Sequence, residues 1–292
     1  MSQTYDISLK ITYEYASPAG ASRTLLRMLP RDLPGQQLIS GRVSATPAPN
    51  WRRDGMDFFG NPTCEMAHDM RLSEITFAFA GRVRRARPIA GLDLSGSWQA
   101  LAQDLAALRS IAPESPHHFL GPSPRLPAAP EIAAFARETV TEAMSAQAAV
   151  EAISARLHAD FAFDPEATEV TTTAIEAFRA RRGVCQDISH VMITALRAVG
   201  IPAGYVSGFL RTLPPEGQPR LEGADAMHAW VRAWCGAETG WIEIDPTNDM
   251  LVGADHVTVA YGRDYSDVAP TRGSLRSEGS HVTTHQVDVV PV

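Results

Sequence analysis

At 292 residues, 45% of them hydrophobic and 20% charged, the chain has the balance of a folded globular protein and the length to bury a core in one large domain or two. A formal net charge of −7 argues against a general nucleic-acid binder. The apolar stretch at 191–209 is interrupted by Arg197 and Pro202 and falls short of a membrane span, so neither a nucleic acid nor a membrane is an expected partner.

The first residues show no positive segment leading into an apolar run, so no secretion signal is read there. Residues 7–15 alternate in the period-two manner of a half-buried strand. Weaker strand patterns follow at 25–29 and 37–43, and Asp57-Phe58-Phe59-Gly60-Asn61-Pro62 carries the residues of a turn. Residues 63–69 and 73–79 read as further strands, and the arginines at 82, 84, 85 and 87 as the solvated face of one. Short strands divided by turns predict an N-terminal antiparallel β-sandwich domain over residues 1–110, with a short helix at 101–111.

Prolines at 113, 116, 122, 124, 127 and 130 each fix φ and remove an amide donor, so 111–130 reads as a Pro-rich connector. The remainder, 131–292, reads as a second domain. Helices are expected at 131–144, 148–161 and 171–181, with Pro130 suited to a first helical turn. After Gly183, residues Ile188, Val191, Met192, Ala195, Leu196 and Val199 recur at helical spacing until Gly200 and Pro202 stop them. Strands at 203–210, 227–234 and 241–245 complete an α+β pattern.

The three cysteines, Cys64, Cys185 and Cys235, are an odd number and read as free thiols in a reducing, cytoplasmic setting. Cys185 stands where a loop turns into a helix, whose unpaired N–H groups and positive end favour a thiolate and an oxyanion. A small buried core cysteine is the competing reading. If residues 235–240 form a hairpin loop, Trp234 pairs with Trp241, His228 faces Thr247 and Trp230 faces Asp245. Asp245 is then the diagonal neighbour of His228, within reach for side chains at roughly 7 Å between Cβ atoms. A carboxylate on one imidazole nitrogen leaves the other for a thiol, the order of groups that covalent catalysis needs. Trp230 on that face would shield the pair from water. Alternatively, His228 is a hydrogen-bonded core histidine and Asp245 a turn residue. A zinc set of Cys185, His190, His228 and Asp245 lacks the usual ligand spacing, so no metal or other cofactor is expected.

Arg182-Gly183-Val184-Cys185-Gln186-Asp187, with Ile201-Pro202-Ala203 and Tyr205-Val206-Ser207-Gly208-Phe209 downstream, resembles the bacterial branch of the transglutaminase-like superfamily. His228-Ala229-Trp230, Asp245-Pro246-Thr247-Asn248 and the tail from His256 to Val268 are similar to segments of that branch, as are Tyr13-Glu14-Tyr15 and the turn at 57–61. The resemblance implies a papain-like α+β core, helices packed on an antiparallel sheet, behind an N-terminal β domain. It also implies a triad in which Cys185 is nucleophile, His228 base and acid, and Asp245 orienter, with Gln186, Asp187, Trp230 and Tyr205 as substrate-pocket candidates. Two departures, Ala226-Met227 before the histidine and Ile188-Ser189 after the cysteine motif, would reshape the pocket. The expected activity is cysteine-dependent hydrolysis of peptide or isopeptide amides in a peptide or protein substrate. Acyl transfer to an amine, or a non-catalytic peptide-binding or partner-docking module, are the alternatives. Relatives in this branch are often associated with ATP-grasp amide ligases, which makes such a ligase an implied partner.

Overall fold

The computed structural model describes residues 2–87, 91–212 and 225–292. β1 (Ser2–Leu26) opens the chain, and Tyr5, Ile7, Leu9 and Ile11 alternate into the core as the period-two pattern requires. β2 (Gln36–Thr46), β3 (Trp51–Met56), β4 (Pro62–His68) and β5 (Leu72–Ala86) follow. The first half of β1 pairs with β5, from Ser2–Ala86 to Glu14–Glu74, and its last residues pair with β4, from Ser22–His68 to Leu26–Cys64. The register breaks between Glu14 and Ala19, next to Pro18, which has no N–H to give, and close to Ala21 at φ 51°. The expected antiparallel β domain is present, its strands curling about this long strand in the order β2-β5-β1-β4-β3.

The second unit opens with α1 (Leu101–Ala107), then α2 (Pro130–Thr139) and α3 (Ala146–Asp160). The short strand β6 (Ala162–Phe163) precedes α4 (Ala174–Ala180), and β7 (Arg182–Gly183) leads into α5 (Cys185–Ala198). β8 (Ala203–Leu210), β9 (Ala226–Trp234), β10 (Trp241–Asp245), β11 (Met250–Leu251) and β12 (His256–Gly262) form a sheet in the order β11-β10-β9-β8-β12, followed by α6 (Tyr265–Val268). α5 lies against β8 and β9 on one side and α2, α3 and α4 on the other, so every residue from Gln186 to Leu196 is buried. A helix enclosed on all sides is fixed more rigidly than an amphipathic surface helix. At its end, Arg197 donates to the carbonyls of Ala203 (2.8 Å), Gly121 (3.0 Å) and Arg263 (2.7 Å), tying connector, sheet and tail to α5. Among the described residues, no helix is long and apolar enough to cross a membrane.

Both domain boundaries expected at 110 and 292 move. Residues 93–107 attach to the helical unit: Trp98 Nε1 donates to Thr141 O (2.9 Å), Ala146 N to Gly96 O (2.8 Å) and Gln147 N to Ser95 Oγ (3.0 Å). At the other end, β13 (Thr271–Arg276) and β14 (His281–Pro291) return to β1, with Val287 and Val289 fully buried. Strand pairing across the whole chain length decides this, and no local pattern encodes it. The expected turn at 57–62 is present and joins the two units. Asn61, wholly buried, donates from Nδ2 to Tyr261 O (2.8 Å) and accepts at Oδ1 from Tyr261 N (2.8 Å) and Arg31 Nη1 (2.6 Å).

Candidate active site

The start of α5 is set by three residues before and within it. Gly183 pairs with Phe163, and a Cβ on it would stand 2.7 Å from Asp187 Oδ2. Asp187 Oδ2 accepts the Val184 N–H (2.9 Å) and the Thr168 hydroxyl (2.6 Å), closing the first turn from within. Cys185 is the first helical residue and is half-buried, with a backbone N–H that has no partner inside the helix.

His228 and Asp245 come from adjacent strands. The ladder between β9 and β10 runs from Trp234–Trp241 to Val231–Ile244, the register expected of the hairpin. His228 Nε2 lies 2.7 Å from Asp245 Oδ2, and Asp245 is wholly buried. Nδ1 is then the ring nitrogen left for sulfur. Burial pushes the His228 imidazolium down, but hydrogen bonds to Asp245 and to Cys185, with their charges, outweigh it and raise the pKa to about 10. Burial likewise works against the Asp245 carboxylate, yet hydrogen bonds from His228, His256 and Asn248 hold it well below the usual carboxylate range. The buried carboxylate holds the imidazole in one orientation through Nε2.

Asp245 has more partners than the sequence indicated. Its Oδ1 accepts from Thr247 N (3.0 Å) and Asn248 N (3.3 Å), the turn role also weighed for it. Oδ2 accepts from His228, from Asn248 Nδ2 (2.6 Å) and from His256 Nε2 (3.1 Å). His256 was visible only as part of the tail, and the one local hint to a role was its place at the head of an apolar strand.

The four expected pocket residues are all buried. Asp187 (1% exposed) is occupied with the helix start, and Trp230 (0%) donates from Nε1 to Glu243 Oε2 at 2.7 Å. Neither offers surface to a substrate, because both side chains are enclosed by the packing that supports the helix and the histidine. Trp230 does stand beside His228, with ring centroids 6.2 Å apart, as a shield would. Tyr205 is buried against the rings of His190 (5.1 Å) and Tyr265 (6.1 Å), and Gln186 donates from Nε2 to Val170 O (3.1 Å). Glu243, missed in the sequence, also accepts from the Tyr261 hydroxyl and so braces Trp230 from β12.

The zinc set considered from sequence is not assembled among the described residues. His190 Nε2 accepts the Tyr265 N–H (3.2 Å), away from Asp245. His228, Asp245 and His256 do bring donor atoms within 4.8 Å of one another. Both histidine nitrogens are hydrogen-bonded to Asp245 Oδ2, and Cys185 is outside the group. The cluster is explained as a hydrogen-bonded carboxylate.

Residues 5–84 match the bacterial transglutaminase-like N-terminal region, and residues 133–246, which contain Cys185, His228 and Asp245, match the transglutaminase-like superfamily core. An uncharacterized protein of Mycobacterium tuberculosis is 33% identical over 98% of this chain and 92% of its own length. The chain belongs to the transglutaminase-like superfamily. Another uncharacterized member, from Mycobacterium leprae, is 33% identical over 92% of this chain and 91% of its own. A protein-glutamine gamma-glutamyltransferase of Pseudomonas aeruginosa is 36% identical over 122 residues, 40% of this chain and 18% of that protein. The crystal structure of a candidate cysteine protease from Cytophaga hutchinsonii superposes with a TM-score of 0.73 at 19% identity, covering 100% of this chain and 91% of that one. The architecture of this transglutaminase-like chain, curled sheet and helical core together, is thus seen in a solved structure.

Proposed function

We propose that the chain is a cysteine-dependent hydrolase of peptide or isopeptide amides, with Cys185, His228 and Asp245 as its triad. Sulfur attacks the amide carbonyl, and the oxyanion that forms is met by the Cys185 N–H at the head of α5. His228 delivers its proton to the departing amine as the C–N bond breaks, leaving a thioester on Cys185. Neutral His228 then takes a proton from water, whose oxygen attacks the thioester, and the thiol is regenerated as the acid leaves. Asp245 stays ionised throughout and keeps Nε2 engaged. The observation that carries this reading is the 2.7 Å contact of His228 with a wholly buried carboxylate, on a strand beside the helix that Cys185 opens.

Activity-based probing with γ-glutamyl and α-peptide electrophiles, comparing the native protein with Cys185→Ala, tests it. Labelling confined to Cys185 and coupled to hydrolysis of the matching amides supports the proposal; labelling without turnover of any amide favours a binding module. The similarity to a gamma-glutamyltransferase over 122 residues favours a second reading, in which an amine resolves the same thioester. Product that shifts from acid to amide as a primary amine is added would establish that route.

A further inference from the structure

We propose that His256 is a positioning residue of the triad, acting on His228 through the oxygen they share, Asp245 Oδ2. The inference rests on the triad reading above. His256 sits at the head of β12, 1% exposed, with Nε2 3.1 Å from Asp245 Oδ2. Its tautomer is fixed from the other side, because Gly253 N donates to Nδ1 (3.3 Å). Nδ1 is therefore the acceptor and Nε2 carries the hydrogen that points at the carboxylate. The ring is held edge-on to Trp230 at 5.2 Å, and Trp230 in turn flanks His228.

A carboxylate on a strand end can turn about its last torsion, and the backbone N–H groups of Thr247 and Asn248 hold only Oδ1. Oδ2 is the oxygen that orients His228. Besides His228, it is met by Asn248 from the same turn and by His256 from a different strand. His256 thus ties the aim of Asp245 to β12, on the far side of β8 and β9 from β10. Loss of this donor frees the carboxylate to swing, and with it the imidazole that must face sulfur. Glutamine at this position carries an amide Nε2 to donate and an Oε1 to accept from Gly253, so it can keep both contacts.

The test reads the second-order rate of Cys185 alkylation by iodoacetamide at neutral pH, located by peptide mapping, in the intact protein. His256→Phe is expected to slow alkylation roughly 10-fold or more, the scale seen when a residue that orients a reactive group is lost. His256→Gln should recover most of that rate. In an Asp245→Ala background, His256→Phe should change nothing further, since a residue acting only through Asp245 has no additive effect. If His256→Phe does not fold, His256→Asn, whose amide is too short to reach Oδ2, takes its place with the same expectation. A native rate in folded His256→Phe or His256→Asn, or an equal further loss in the Asp245→Ala background, overturns the proposal. A native rate in Asp245→Ala alone overturns both this proposal and the triad, which separates the two failures.

Discussion

Gly208 pairs with His228 across β8 and β9, and a Cβ on Gly208 would stand 2.3 Å from Trp230 Cη2 and 2.3 Å from the Val257 carbonyl oxygen. The missing side chain is what lets the indole lie over β8 beside the imidazole. One of the two obstacles is backbone in β12 and cannot swing aside, so the strain of a methyl group has to be taken up by Trp230 and the strands. Gly208→Ala should therefore lower stability by about 1–3 kcal/mol, the range for overpacking. The urea midpoint would fall, and Cys185 alkylation would slow as His228 loses its neighbour. An unchanged midpoint would mean the indole has room to move.

The raised pKa of His228 has a consequence for stability with a definite sign. Its value goes from 6.5 when unfolded to about 10 in the fold, so the stabilisation is complete below about 6.5 and is lost as pH rises through about 10. Denaturation of the native protein and His228→Gln at a series of pH values should show a difference that shrinks across this window. A difference constant from pH 6 to 10 would contradict a protonated, carboxylate-bound imidazole.

His190 works in the opposite direction. Burial on α5 against Tyr205 and Tyr265 pushes its pKa down to about 3, with the charge of Asp264 opposing and those of Arg125 and Arg197 assisting. Its neutral ring contributes stability present above about 6.5, and the contribution is lost as pH falls towards about 3, because the unfolded chain takes up the proton first. His190→Gln should weaken the acid dependence of the unfolding free energy between those values. Unaltered acid dependence would place the titrating group elsewhere.

Asn61 is the hinge pin between the curled sheet and the core. Its truncation leaves Tyr261 N and O without the side-chain partners that meet them, along with Arg31 and Asp57. Removing buried polar partners at about 1–3 kcal/mol each predicts that Asn61→Ala costs about 2–4 kcal/mol. Calorimetry would register it as a lower unfolding temperature, and a loss below about 0.5 kcal/mol would mean that water replaces the amide without penalty.

What could be read from sequence was local. The spacing from Ile188 to Leu196 and the stop at Gly200 and Pro202 mark α5, because helical periodicity is a short-range signal. The six-residue loop before Trp241 sets the β9–β10 register, and with it the approach of Asp245 to His228. Contacts between distant segments were not legible. The return of Val287 and Val289 to β1 and the docking of Trp98 on Thr141 depend on pairings whose energy appears only when the chain is closed. His256 belongs to this class: it stands eleven positions after Asp245, and only the fold shows that it and His228 meet at one Asp245 oxygen. Asp187 and Trp230 carry side chains that a cleft would use, and burial assigns them to support instead.

The central claim is that His228 activates the sulfur of Cys185, and burial alone already hides Cys64 and Cys235, both with thiols pushed up to about 12. The decisive measurement is therefore not which cysteine reacts but how fast Cys185 is acylated by a peptide thioester or activated ester in the native protein and in folded His228→Ala. A drop of roughly 100-fold or more, the lower bound for losing a general base, is the predicted result. Equal rates in the two proteins would contradict it and leave Cys185 an ordinary half-buried thiol.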